Sequence, residues 1–239
     1  MMRLFKILLL TGCCLTAAAS AIAAVPAIGF DIEHARGHNY YFFNFYVNQV
    51  LGNAFTVVGN QNLSVTHLGA FDMNPDNEPY WDVPVYAEHG FVFNHGVALF
   101  DRADMSLIAQ VMLPAGTSAP IRDEGYRYLA LAEPVTLEVG GSYVLAAWWS
   151  QDTIDEPDMD TFYLLGTSPT EIPSAVYIHD SIQITDSCFN PDGGDGSSVP
   201  APFIFDMYWG LYAGGANFLI EQPIAVENGT WSDIKNMFR

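Results

Sequence analysis

Basic residues and cysteines are scarce in this chain of 239 residues. Eight Lys and Arg stand against 27 Asp and Glu, a formal charge of −19. That balance excludes a nucleic-acid binder, which needs a basic patch to neutralise phosphates. The three cysteines are Cys13, Cys14 and Cys188. The first two fall in a leader, so the remainder has one thiol and no internal disulfide, and Cys188 reads as a small buried apolar side chain. No run beyond the leader approaches the ~20 apolar residues that span a bilayer. The Gly-x-Ser-x-Gly nucleophile elbow is missing. Glu33-His34 and His38 lack the His-Glu-x-x-His order of zinc proteases. His67 falls in an expected strand and is a core candidate, while His89, His95 and His179 are scattered. No Gly-rich phosphate loop is present. A charged fraction of 15% with 14% aromatic residues excludes a disordered chain.

The amino terminus reads as an address. Arg3 and Lys6 precede an apolar run over 7–19, and Ala21-Ile22-Ala23 supplies small residues at −3 and −1 of a cut. This is the pattern of a secretory signal peptide spanning 1–23. A membrane anchor is the bland alternative. Leu10-Thr11-Gly12-Cys13 also fits a lipobox, with lipidation at Cys13, although the run before it is short and the tether after it apolar. Removing 1–23 leaves six basic residues against 27 acids, a charge of −21, with Lys235 the one lysine. Such acidity suits saline or cation-rich surroundings, where screening weakens self-repulsion.

The remaining 216 residues suffice for one all-β domain. Short runs rich in Val, Ile, Phe, Tyr and Thr, punctuated by Gly, Pro, Asn and Asp, predict strands. They fall near 40–47, 54–58, 63–71, 97–100, 107–113, 126–131, 135–139, 143–149, 162–165, 175–179, 203–209 and 217–221. The run over 143–149 is almost wholly apolar and predicts a central strand covered on both faces. Val139-Gly140-Gly141-Ser142 reads as a hairpin whose turn needs positive φ. Residues 190–198 read as a long polar loop. In the last ten residues, Thr230 is an N-cap candidate, and Trp231, Ile234, Met237 and Phe238 share one face of a short amphipathic helix. The expected architecture is a jelly-roll-like β-sandwich over 24–226, then a linker and short C-terminal helix over 227–239.

Several segments carry a family resemblance. They are Leu68-Gly69-Ala70-Phe71-Asp72, Asn94-His95-Gly96-Val97-Ala98-Leu99-Phe100-Asp101, Leu107-Ile108-Ala109-Gln110-Val111 and Pro114-Ala115-Gly116-Thr117. Gly125-Tyr126-Arg127-Tyr128, Pro134-Val135-Thr136-Leu137, Gly141-Ser142-Tyr143-Val144 and Gly215-Ala216-Asn217-Phe218 continue the series. Over about 52–220 the chain resembles a domain of unknown function found in exported bacterial proteins, often ones with a PEP-CTERM sorting tail. The resemblance implies a β-sandwich at or outside the cell surface, with no established activity. The stretch 75–93 is longer than the usual turn there, and the sorting tail itself is missing.

The acids cluster in expected loops. Asp72, Asn74, Asp76 and Glu78 alternate, as in loops that wrap a hard cation with side-chain oxygens, although Asn77 stands where the calcium-hand pattern wants Gly. A second cluster is Asp152, Asp155, Glu156, Asp158 and Asp160, and a third is Asn190, Asp192 and Asp195. Two carboxylates ~5 Å apart repel by roughly 3 kcal/mol at an effective dielectric of ~20. A bound calcium offsets that cost if the acids converge, and water suffices if they splay. Tyr80-Trp81, Trp148-Trp149 and Tyr208-Trp209 place neighbouring rings on opposite faces if they lie in strands. Core packing is the ordinary role of such rings, and Tyr80 and Trp81 are the best candidates for stacking on a sugar.

Together these features predict an exported, non-catalytic binding module. Its expected partner is a glycan or a surface protein, with calcium as the candidate cofactor at Asp72, Asn74, Asp76 and Glu78. Assembly with other protein subunits is one alternative. A polysaccharide hydrolase using acids near Asp72 or Asp158 is another.

Overall fold

The computed structural model describes residues 24–30, 49–72, 90–91, 93–122, 125–149, 176–192, 198–205 and 215–221. All regular structure in them is β. The strands are β1 (Ala24–Pro26), β2 (Ile28–Phe30), β3 (Gln49–Val57), β4 (Leu63–Phe71), β5 (His95–Asp101) and β6 (Leu107–Leu113). They continue as β7 (Tyr126–Leu137), β8 (Ser142–Trp149), β9 (Val176–Ile178), β10 (Ile182–Asn190), β11 (Phe203–Phe205) and β12 (Ala216–Glu221).

The antiparallel pairings nest. β5 pairs with β6, β4 with β7, β3 with β8 and β1 with β12. Successive pairs alternate between a six-stranded sheet, ordered β11-β10-β3-β8-β5-β6, and a four-stranded sheet, ordered β1-β12-β4-β7. A long hairpin with its tip at the β5–β6 turn has thus been rolled into two layers, which is the jelly-roll topology. β10 and β11 widen the larger sheet, and β2 with β9 forms a separate ribbon.

Alternation of side chains assembles the core. Leu51, Phe55, Val97, Leu99 and Leu145 of the larger sheet meet Leu63, Val65, Leu68, Phe218 and Ile220 of the smaller. The Phe55 and Phe218 rings stand 5.4 Å apart across the layers. Each large apolar side chain buried this way contributes ~1.5–3 kcal/mol before the entropy cost. The opposite face of the larger sheet holds a second buried cluster, with Val50, Ala54, Ala98, Phe100, Val144, Ala146, Trp148 and Cys188. β8 therefore lies between β3 and β5 and is buried on both faces, as its apolar run predicts.

Several expectations need correction. The runs read as 126–131 and 135–139 form one strand, β7. The break survives as a slip in pairing, since Val65 faces Val135 while His67 faces Ala130. Pro134, which has no N–H to give, sits in the skipped stretch. Gly140 does have positive φ, 78°. Its flanking strands, however, belong to different sheets, so the turn is a crossing between layers rather than a hairpin. β10 was not expected. A register shift between Ile184 and Asp186 breaks its period of two, so the apolar alternation disappears from the sequence. β1 and β2 were not expected either. The strands expected near 40–47 and 162–165, residues 206–209 and the C-terminal helix lie outside the described residues.

The two ends of the sandwich differ. At one, the turn end, β3–β4, β5–β6 and β7–β8 are joined by residues 58–62, 102–106 and 138–141. Ala24 of β1 and Glu221 of β12 also stand at that end, as register partners. At the other, the loop end, the chain connects β4 to β5 through 72–94 and β6 to β7 through 114–125. β3 and β12 begin there, and β8 and β10 finish there.

Candidate functional site

The framework of the loop end is built from buried polar groups. Asp72 directly follows β4 and has no solvent exposure, and Arg127 on β7 is 2% exposed. Arg127 Nε donates to Asp72 Oδ2, and Arg127 Nη1 donates to the Ala119 carbonyl at 2.7 Å. The Asp72 N–H donates to the Gly125 carbonyl at 2.9 Å. Charges this deep persist only when paired and hydrogen-bonded. The pair thus ties the end of β4 to the start of β7 and to the 114–125 connection. Nearby, Asn94 Oδ1 accepts from the Ala115 N–H at 2.8 Å, and the Gly116 N–H donates to the Phe91 carbonyl at 2.6 Å. His95, 1% exposed, lies edge-on to Phe91 at 4.3 Å.

A second polar node crosses the smaller sheet. Asn217, Gly69 and Tyr128 are register partners on β12, β4 and β7, so they share one face. Asn217 Oδ1 accepts from the Ile28 and Phe218 N–H groups at 3.0 and 2.8 Å. Its Nδ2 donates to the Ile28 carbonyl and, at 3.0 Å, to the Tyr128 hydroxyl. Two donors and two acceptor sites are all used. The amide copies a backbone partner for Ile28 where the chain leaves the sheet. Tyr128 reaches Asn217 by lying across Gly69; a Cβ there would stand 2.4 Å from the ring.

The residues proposed from sequence divide accordingly. Asp72 is the buried partner of Arg127, while Asn74, Asp76, Glu78, Tyr80 and Trp81 lie outside the described residues. So do Asp152, Asp155, Glu156, Asp158, Asp160, Asp195, Tyr208 and Trp209. Asn190 and Asp192 form a local turn at the end of β10: Asn190 Oδ1 accepts from the Asp192 N–H at 3.0 Å, and Asn190 Nδ2 donates to the Ala201 carbonyl. Trp148 packs in the second cluster, the ordinary core role. Burial pushes the Cys188 thiol well above its usual range, which makes it a poor nucleophile. Among the described residues, no group of three or more His, Cys, Asp or Glu is placed to hold a metal ion. No helix among them is long and apolar enough to cross a membrane.

Sequence reasoning read Asp72 as a cation ligand and missed its guanidinium. The available signal was Arg127 itself, one of few basic residues, set between Tyr126 and Tyr128 in a strand. Arg102 was missed too. It donates to Thr185 Oγ1 at 2.7 Å and pairs with Asp186, joining the β5–β6 turn to the irregular point of β10.

Neither protein-family models nor curated proteins give a match to this chain.

Proposed function

We propose that this chain is an exported, non-catalytic binding module that recognises a glycan through its loop end, assisted by calcium. One observation supports this reading: β4, β8 and β10 all finish at the loop end. The connections running on from β4, β8 and β10 hold the three acidic clusters, and Tyr80-Trp81 lies in the first of these. Tyr208-Trp209 lies in the stretch leading into β12. Loops fixed on a rigid sandwich are a common seat of recognition. Asp72 is engaged by Arg127, so Asn74, Asp76 and Glu78 are left to carry the proposed cation.

The segments that carry the resemblance to exported bacterial domains supply Gly69, Asp72, Tyr128 and Asn217, which meet in the buried nodes. They support a shared scaffold rather than a shared reaction. Export by the leader 1–23 belongs to the same proposal. Ala24 and Glu221 stand at the turn end, opposite the proposed recognition loops.

A glycan array with calcium and with chelator tests the proposal. Binding that falls on Trp81→Ala, with melting unchanged, is expected. An empty array in both conditions rejects the glycan, and turnover of a polysaccharide panel would turn the reading to a hydrolase. Subunit assembly is favoured by one feature: β6, an edge strand among the described residues, runs Leu107-Ile108-Ala109-Gln110-Val111-Met112-Leu113 without charge or proline. Concentration-dependent light scattering with no glycan signal would select it.

A further inference from the structure

The turn end holds an arrangement that the proposed export completes. Ala24, the residue after Ala21-Ile22-Ala23, is the first residue of β1. β1 is three residues long and, among the described residues, forms the edge of the smaller sheet. Its pairing is thin, because Pro26 has no N–H to donate. Ala24 and Val25 nevertheless pack against the main core, so holding β1 in place protects apolar surface. The register sets Ala24 opposite Glu221, with Ser64 opposite Glu221 on the other side. Ser64 Oγ donates to Glu221 Oε2 at 2.9 Å from the β4 side, which leaves Oε1 to meet a donor from the β1 side. Antiparallel register partners lie ~4.5–5.5 Å apart at Cα, so a charge on the Ala24 nitrogen falls within reach of that carboxylate.

We propose that cleavage of the Ala23–Ala24 bond makes a cation that Glu221 then captures, adding to the paired β1 edge a charge contact that the uncleaved chain lacks. The inference rests on the export reading. A signal peptidase adds one water across the peptide bond. The C–N bond breaks, Ala23 leaves as a carboxylate, and Ala24 keeps the nitrogen as an α-ammonium. Before cleavage that nitrogen is a neutral amide and offers Glu221 no charge. After cleavage it adds a positive group to a chain rich in acids. The leader's removal thereby strengthens the β1 edge of the sheet, at the end opposite the proposed recognition loops.

The test uses the full chain, exported and purified, with Lys235→Arg so that the α-amine is the one remaining amine. The mass of the product reads the processing site. A first residue other than Ala24 rejects the processing step, and with it this inference, without bearing on the glycan. With Ala24 first, the rate of α-amine acetylation is compared between Glu221 and Glu221→Gln proteins. A carboxylate partner holds the amine protonated, so the Glu221 protein is expected to react about three- to ten-fold more slowly near neutral pH. Acetylation is expected to lower the melting midpoint by about 1–3 °C in the Glu221 protein and to leave the Gln protein unchanged. Equal acetylation rates, or an equal melting shift in both, overturn the pair. If Glu221→Gln does not fold, adding one Gly before Ala24 moves the ammonium out of register. Faster acetylation of that protein then supports the pair, and an unchanged rate overturns it.

Discussion

The two ends of the sandwich each carry an ion pair that joins distant strands, and the pairs differ in depth. Arg127 and Asp72, at the loop end, have side chains 3% and 0% exposed, whereas Arg102 and Asp186, at the turn end, are 30% and 16% exposed. Depth decides what each can do. A fully buried pair contributes less net stability than its contact suggests, because two charges have left water, but loss of one partner strands the other. A partly exposed pair is screened and replaceable by solvent. The loop end is thus held by a fastening that fails badly when half removed, which suits a rim carrying long connections. The turn end rests on short connections tied to neighbouring strands, as where the Gly140 N–H donates to the Val57 carbonyl of β3 at 2.9 Å.

The largest expected effect follows directly. Asp72→Ala leaves Arg127 buried without its carboxylate and should cost about 3–5 kcal/mol in denaturant unfolding. Asp186→Ala should cost less than about 1 kcal/mol. Replacing both Asp72 and Arg127 by apolar residues of similar volume should recover most of the loss. Equal costs for Asp72→Ala and Asp186→Ala would erase the distinction between the ends.

A second effect separates the Asn217 node from a simple contact. Asn217→Ala removes four hydrogen bonds and leaves the Ile28 backbone and the Tyr128 hydroxyl to find other partners, at about 2–3 kcal/mol. Tyr128→Phe removes one of them and should cost about 1 kcal/mol. If the two substitutions cost the same, the amide is not bridging β12 to Ile28, and the ring packing over Gly69 carries the node instead.

Legibility in the sequence followed the same physics. Strands with an uninterrupted period or a continuous apolar run could be read closely: β4 and β6 have the expected bounds, and β8 is central as expected. Strands whose pattern is broken were misjudged. β10 contains Gln183, Thr185, Asp186 and Ser187, and its irregularity turns them out of phase. Pro134 split β7 because a proline signals a break in pairing, and pairing does break there while the strand continues. The site was less legible than the fold. An aspartate at the end of a strand has the same letter whether it faces a cation or a guanidinium. Asp72 meets Arg127, 55 residues away in sequence, and no local pattern encodes that encounter.

Cys188 offers a check on the second apolar cluster. It has no solvent exposure on the strand beside β3, among Val50, Ala54 and Trp148. A thiol reagent at neutral pH should leave the native protein unlabelled and react fully after unfolding. Labelling at the native rate of a free thiol would mean that this face of the larger sheet opens, and that its strands are not covered on both sides.

The smallest effect lies between the ends, at His67, where β4 slips against β7. Its Nδ1 is 2.9 Å from Thr66 Oγ1, and it faces Ala130 on one side and Leu219 on the other. Burial lowers its pKa below the ordinary 6.5, and the charge of Arg122 lowers it further. A histidine depressed in the folded state favours the fold while neutral. That contribution is complete above the unfolded value and is lost as pH falls through the folded one, because the unfolded chain takes the proton first. The stability curve of the native protein should therefore fall below about pH 6.5 more steeply than that of His67→Gln. Carboxylates elsewhere titrate in both proteins, so the difference between the two curves isolates the imidazole. Following the His67 ring protons by NMR should give a midpoint below 6.5. A midpoint at or above that value would mean that the slip exposes the ring to water and that Arg122 does not act on it.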